Sequence, residues 1–160
     1  MSVEIRKLSV ENVEALIEVA RESWKWTYEG IYSDEYIENW IREKYSKEKL
    51  LNEITRSWSE PDLLFLGAFV DLKLAGFIEV KIKEDNAELL RLYLKPEYTH
   101  RKIGRDLLSE AEKIMKEKVV SECTLYVHSQ NHVGISFYYK NGFTVKGIDG
   151  SDFLMIKKYE

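Results

Sequence analysis

Residues Glu88 to Arg105 read ELLRLYLKPEYTHRKIGR, and this stretch decides the fold. Glu88 to Leu94 is rich in leucine, carries one aromatic and reads as a strand. Pro96 has no backbone N–H to donate, so strand pairing stops there. Ile103, Leu107, Leu108, Ala111, Ile114 and Met115 then recur at helical spacing, which predicts a helix opening near Ile103. His100, Arg101, Lys102 and Arg105 crowd the start of that helix, where the macrodipole is already positive. Bare cations there cost roughly 0.3–1 kcal/mol each. The cluster makes sense if an anion sits on it, because the N–H groups of a helix N-terminus suit phosphate.

The next apolar run, near Cys123 to Val127, makes a strand–helix–strand crossover whose two strands should run parallel. Ligands in such units bind at the strand C-terminal ends, beside helix N-termini. Topology and charge therefore both put the loop 98–105 at a ligand site. Upstream, LLFLGAFV from Leu63 and LAGFIEVKI from Leu74 are joined to each other and to the Glu88 strand by short turns, an antiparallel meander. Residues 3–8 read as a strand. Three amphipathic helices follow it, one after Ser9, one after Ser33 and one over 46–58. Downstream, a helix near Val133 to Lys140 ends at Asn141-Gly142, and Asp149-Gly150-Ser151 turns a final hairpin. The expectation is one α+β domain over residues 1–160.

A hydrophobic content of 44% with 32% charged residues indicates a soluble globular protein. No run approaches the ~18 apolar residues of a membrane span, and the N-terminus goes directly into amphipathic helix. A cytoplasmic protein without membrane association is expected. Cys123 is alone, so disulfide frameworks and cysteine metal clusters are excluded and the thiol reads as core filling. His100, His128 and His132 are scattered and no HExxH is present, so no metal is expected. GxxxxGK[ST], GxGxxG and GxSxG are likewise missing. Residues 1–62 carry 14 acids against 9 bases, and the remainder carries 14 against 15. This balance argues against nucleic-acid binding. It suits an acidic half receiving a cation and a neutral half holding an anion, although solvated helix faces account for it equally well. Four tryptophans leave room for an exposed patch that would serve a homodimer.

LYLKPEYTHRKIGRDLL followed by N-x5-FYYKNGF resembles the GNAT superfamily of acetyl-CoA-dependent N-acetyltransferases. The family's pyrophosphate loop, [QR]-x-x-G-x-[GA], falls on Thr99 to Gly104. Only the final glycine matches; Thr99 replaces the Gln or Arg and Lys102 the first glycine. The resemblance implies a mixed α/β sandwich, a mostly antiparallel sheet with a central splayed parallel pair and helices on both faces. It also implies acetyl-CoA as co-substrate, with His100, Arg101, Lys102, Ile103, Gly104 and Arg105 around the pyrophosphate. Leu92, Tyr93 and Leu94 would offer backbone groups to the pantetheine arm, which adds as a pseudo-strand where the parallel pair splays. A backbone N–H near Leu92–Tyr93 would meet the oxyanion. Asn131 would touch the coenzyme and Lys140 its outer portion. Tyr138 falls on the family tyrosine that protonates the leaving thiolate, with an ordinary pKa near 10. Tyr139 is its rival, and spacing from Asn131 favours Tyr138, since neighbours on a helix point about 100° apart. Glu88 and Glu79 are alternative general bases, each also readable as an ordinary exposed strand carboxylate. The implied mechanism is direct attack in a ternary complex.

WKWTYEGIY, Trp24 to Tyr32, with DEYI after it, resembles the PaiA-type spermidine/spermine subgroup of that family. The implied partner is a small-molecule amine, held between the first two helices. Trp26, Tyr28, Glu29, Tyr32 and Asp34 are the acceptor candidates, through cation–π contact and charge pairing. Trp24 and Tyr36 read as helix packing. Competing expectations are acetylation of a protein N-terminus or lysine, and a non-catalytic coenzyme-A sensor.

Overall fold

A computed structural model describes residues 2–160. A seven-stranded sheet has the order β1-β2-β3-β4-β5-β7-β6, built from β1 (Val3–Lys7), β2 (Leu63–Val70), β3 (Lys73–Lys83), β4 (Asn86–Leu94), β5 (Glu122–His128), β6 (Thr144–Asp149) and β7 (Asp152–Lys158). Every neighbouring pair is antiparallel except β4 with β5. The expected α+β architecture and crossover are both present.

Helices α1 (Val13–Tyr28), α2 (Asp34–Lys44) and α3 (Lys47–Ser59) cover one face. Their apolar stripes, including Leu16, Ala20, Ile37, Ile41, Leu50 and Ile54, meet Phe65, Phe69 and Phe77. Helices α4 (Ile103–Glu117) and α5 (His132–Lys140) lie on the other face. There Leu107, Leu108, Ala111 and Met115 pack on Leu64, Leu66, Ile78 and Val80. Because both faces are covered, β2 is apolar throughout, LLFLGAFV, with every residue buried. Each large side chain removed from water in this way contributes about 1.5–3 kcal/mol. The Ser33 hydroxyl accepts from the Tyr36 N–H and that of Ser46 from the Lys49 N–H, so α2 and α3 begin where a cap permits. Ser9 instead opens a 3-10 turn, Val10–Asn12, and α1 starts only at Val13.

Two features of β4 make the site. Its pairing with β5 covers only Asn86↔Glu122, Ala87↔Cys123 and Glu88↔Thr124, so the two strands part beyond Glu88. On its other edge, Glu79 of β3 faces Arg91 while the next residue, Val80, faces Leu89. Leu90 is therefore an extra residue, a bulge placed just past the last parallel pair. A bulge bends its strand and increases the local twist, which carries β4 away from β5.

Candidate active site

The parted ends of β4 and β5 open a cleft of about 1070 Å³. One end is cationic. Thr99, His100, Lys102 and Arg105 line it from the loop and the start of α4, joined by Asn131, His132 and Lys140. His100 (φ 67°) and Lys102 (φ 65°) both take left-handed backbone conformations. Lys102 thus adopts the shape of the glycine it replaces in the family loop, at a strain of order 1 kcal/mol. The Thr99 hydroxyl donates to the Pro96 carbonyl at 2.8 Å and ties down the loop entrance. At the head of α4, Ile103, Gly104 and Arg105 present N–H groups with no carbonyl one turn earlier in the helix to take them. The Ile103 side chain is buried in the core, so only its backbone can serve a ligand. A Cβ on Gly104 would stand 3.3 Å from Phe137, so glycine allows α4 to lie against α5 here. Arg101 lies over the Tyr98 ring at 5.6 Å and does not line the cleft. Cations, helix-start N–H groups and an open β4 edge together fit an elongate anion.

The Asn131 side-chain oxygen accepts the Gly134 N–H at 2.9 Å and caps α5, while the residue also lines the cleft. Leu92, Tyr93 and Leu94 also line it. Tyr138 is there too, wedged between the Phe137 and Phe143 rings at 5.4 and 5.7 Å. Burial, followed by the charges of Tyr93 and Cys123, pushes its hydroxyl far above the ordinary tyrosine value. It therefore keeps its proton at neutral pH. Tyr139 is exposed and lines no part of the cleft. The Cys123 thiol is buried and pushed up to about 12, chiefly by that burial, so it is no nucleophile.

Neither carboxylate expected as general base reaches the cleft. Glu88 sits between Lys81 and Thr124 in the paired part of the sheet, before the splay begins, and its side chain is exposed. Glu79 is fully buried, because in the middle of β3 the sheet is covered on both faces. Arg91 holds it at 3.3 Å, binds Glu53 at 3.1 Å, donates to the Lys44 carbonyl at 3.1 Å and lies 4.5 Å over the Tyr45 ring. Burial pushes the Glu79 carboxyl up to about 8 against the pull of Arg91, with Glu53 adding to the rise.

The far end of the cleft is aromatic. Tyr32 and Tyr36 stack at 4.3 Å, Trp24 and Trp40 at 5.1 Å, and Trp24 meets Tyr28 at 4.4 Å. Of the acceptor candidates, Trp26, Tyr28 and Tyr32 line it. Glu29 and Asp34 do not. Glu29 is exposed at the C-terminal end of α1, and Asp34 stands in the first turn of α2, where its charge complements the helix dipole. Tyr36, expected to pack helices, is exposed into the cleft, and Trp24 both packs and lines. Sequence reasoning missed Trp40, His128 and Asp152. Asp152 is the lone carboxylate lining the cleft among the described residues. The turn before it was legible, but the place of its strand beside β5 was not. Among the described residues no group of three His, Cys, Asp or Glu is placed to hold a metal ion, and no helix is long and apolar enough to cross a membrane.

A model of the acetyltransferase (GNAT) family matches residues 13–143. Over 160 residues, all of this chain and 99% of the relative, the sequence is 75% identical to a spermidine N(1)-acetyltransferase of Thermoplasma acidophilum. The crystal structure of a PaiA N-acetyltransferase from the same organism, in complex with coenzyme A, matches with a TM-score of 0.97 at 75% identity, over 99% of this chain and 100% of that one. The ribosomal-protein-S18-alanine N-acetyltransferase of Escherichia coli matches at a TM-score of 0.72 and 16% identity, over 98% and 94% of the two chains, a likeness of fold alone. With the family model spanning most of its length and its cleft built at the β4–β5 splay, this chain belongs to the GNAT acetyltransferase family.

Proposed function

We propose that this protein transfers the acetyl group of acetyl-CoA to a primary amine of spermidine, by direct attack while both substrates are bound. The observation that carries this reading is one continuous cleft with a cationic helix start at one end, stacked rings and a carboxylate at the other, and a protonated tyrosine between them. The whole-length relative that acts on spermidine supports the acceptor. The related structure holding coenzyme A supports the donor.

In this reading the head of α4, with His100, Lys102 and Arg105, receives the pyrophosphate, and Lys140 meets the outer part of the coenzyme. The edge of β4 from Leu92 to Leu94 binds the pantetheine arm as a strand would. The thioester then lies against Tyr138. The amine nitrogen attacks the acetyl carbonyl, forming the C–N bond, and the C–S bond breaks. The departing thiolate takes its proton from the Tyr138 hydroxyl, and the N–H proton that the acylated nitrogen sheds restores that hydroxyl. An ammonium entering this ring-lined cleft is partly stripped of water, which lowers its pKa and increases the share of neutral, nucleophilic amine. That demand on the cleft walls replaces some of what a carboxylate base would do, since Glu88 and Glu79 stand outside.

Thiol release from acetyl-CoA, measured with spermidine, spermine and a lysine peptide, tests the proposal. Turnover with spermidine well above that with the peptide is expected. Coenzyme binding without turnover of any amine would refute it.

A further inference from the structure

We propose that Asp152 holds a second ammonium group of the acceptor, so that the cleft selects linear diamines and polyamines over monoamines. The inference rests on the acetyl-transfer reading and adds the acceptor's charge pattern to it. The cations lining the cleft are concentrated at the coenzyme end, apart from Arg91, which the Glu53 carboxylate already pairs and the Glu79 carboxyl also meets. At the other end Asp152 is the lone lining carboxylate, and no Lys, Arg or His among the described residues lies within ion-pairing distance of it. A carboxylate without an ion pair, lining the same cleft as these rings, is placed to meet a cation.

The surroundings narrow the ligand. Asp152 stands opposite His128 in the β5–β7 ladder, and the Ser129 N–H donates to the Ser151 carbonyl at 2.8 Å, so the hairpin that carries it is anchored to β5. His128 in turn packs edge-on to Tyr28 and Tyr32, at 6.0 and 5.6 Å. The charge of Asp152 is felt at both of those hydroxyls, which places it within electrostatic reach of the rings. Rings beside a single carboxylate suit a flexible methylene chain ending in an ammonium, by cation–π contact and charge pairing together. A monoamine has nothing to offer the carboxylate.

The test compares kcat/KM for spermidine and for n-butylamine in the wild type, Asp152→Asn and Asp152→Glu. Asp152→Asn should cut the preference for spermidine by about 10- to 100-fold, mainly through KM, as expected for one lost charged hydrogen bond. Asp152→Glu, which keeps the charge, should restore most of it. An unchanged preference in Asp152→Asn, or equal losses for both amines, overturns the proposal. Calorimetric titration of spermidine into the coenzyme-A complex of wild type and Asp152→Asn separates the two readings. If wild type turns over no amine, the acetyl-transfer reading fails by itself. Asp152 then stands on weaker spermidine binding by the Asn variant, and equal binding sinks it.

Discussion

Glu79→Gln replaces the one fully buried carboxyl side chain of the described residues and leaves its shape almost intact. In the wild type, burial pushes this carboxyl from 4.5 to about 8. The folded protein therefore holds the proton more tightly than the unfolded chain does. The stabilisation linked to that proton is complete below about pH 4.5 and is lost as pH rises through about 8. At about 1.4 kcal/mol per pH unit, the full loss is of order 5 kcal/mol. For a domain of this size each kcal/mol moves Tm by about 2–4 °C. Glutamine stays neutral at every pH. Thermal melts followed by circular dichroism between pH 5 and 8.5 should show the wild type losing roughly 10 °C more than Glu79→Gln. At pH 5 the two should nearly coincide. Parallel curves would show that Glu79 does not titrate in this window. A wild type that gained on the variant as pH rose would mean the ionised carboxylate, paired to Arg91, is the stabilising form, and would reverse the assignment.

Three further substitutions probe the coenzyme side. Tyr138→Phe should lower kcat by about 10²- to 10⁴-fold while coenzyme A affinity stays within about twofold, measured by steady-state kinetics and calorimetry; an unchanged kcat moves proton donation elsewhere. Lys102→Gly relieves the left-handed strain, so Tm should hold or rise by about 1–3 °C while coenzyme A binding weakens through the lost charge. A clear fall in Tm would contradict strain at this position. Asn131→Ala strips the cap from α5 and should cost about 1 kcal/mol of stability, read by urea denaturation, along with coenzyme affinity.

What could be read in the chain was what depends on neighbours in sequence. Ser33 and Ser46 cap helices, Asn141-Gly142 ends one, and the cations of 98–105 crowd a helix start, because each rests on contacts within a few residues. The cavity-lining residues Leu92, Tyr93, Leu94, Asn131, Tyr138 and Lys140 came from family resemblance resting on that same local pattern. What depended on which strands and helices meet was hidden. Glu79 was readable as an exposed strand carboxylate, but both faces of the sheet are covered in the middle of β3, where it stands. Glu88 looked like part of the splay because it lies on β4, yet the strands part only after it. Asp152 and Tyr36 enter the cleft from separate elements that no local pattern connects.

The extra residue in β4 also divides that strand into two reading frames. Before Leu90, the odd-numbered Ala87 and Leu89 face the α4 core; after it, the even-numbered Leu92 and Leu94 do, while Tyr93 turns to the helices on the opposite face. Parity reverses at residue 90, which explains why ELLRLYL shows no clean alternation. Pairing Leu90 in line, as an ordinary strand residue rather than a bulge, would do more than straighten an edge. It would drive Arg91 and Tyr93 into the α4 side and present Leu92 and Leu94 to the α1–α3 side, exchanging the two cores across one strand. The wall of the coenzyme cleft and the division between the two cores are thus set by the same insertion, and neither can drift without the other.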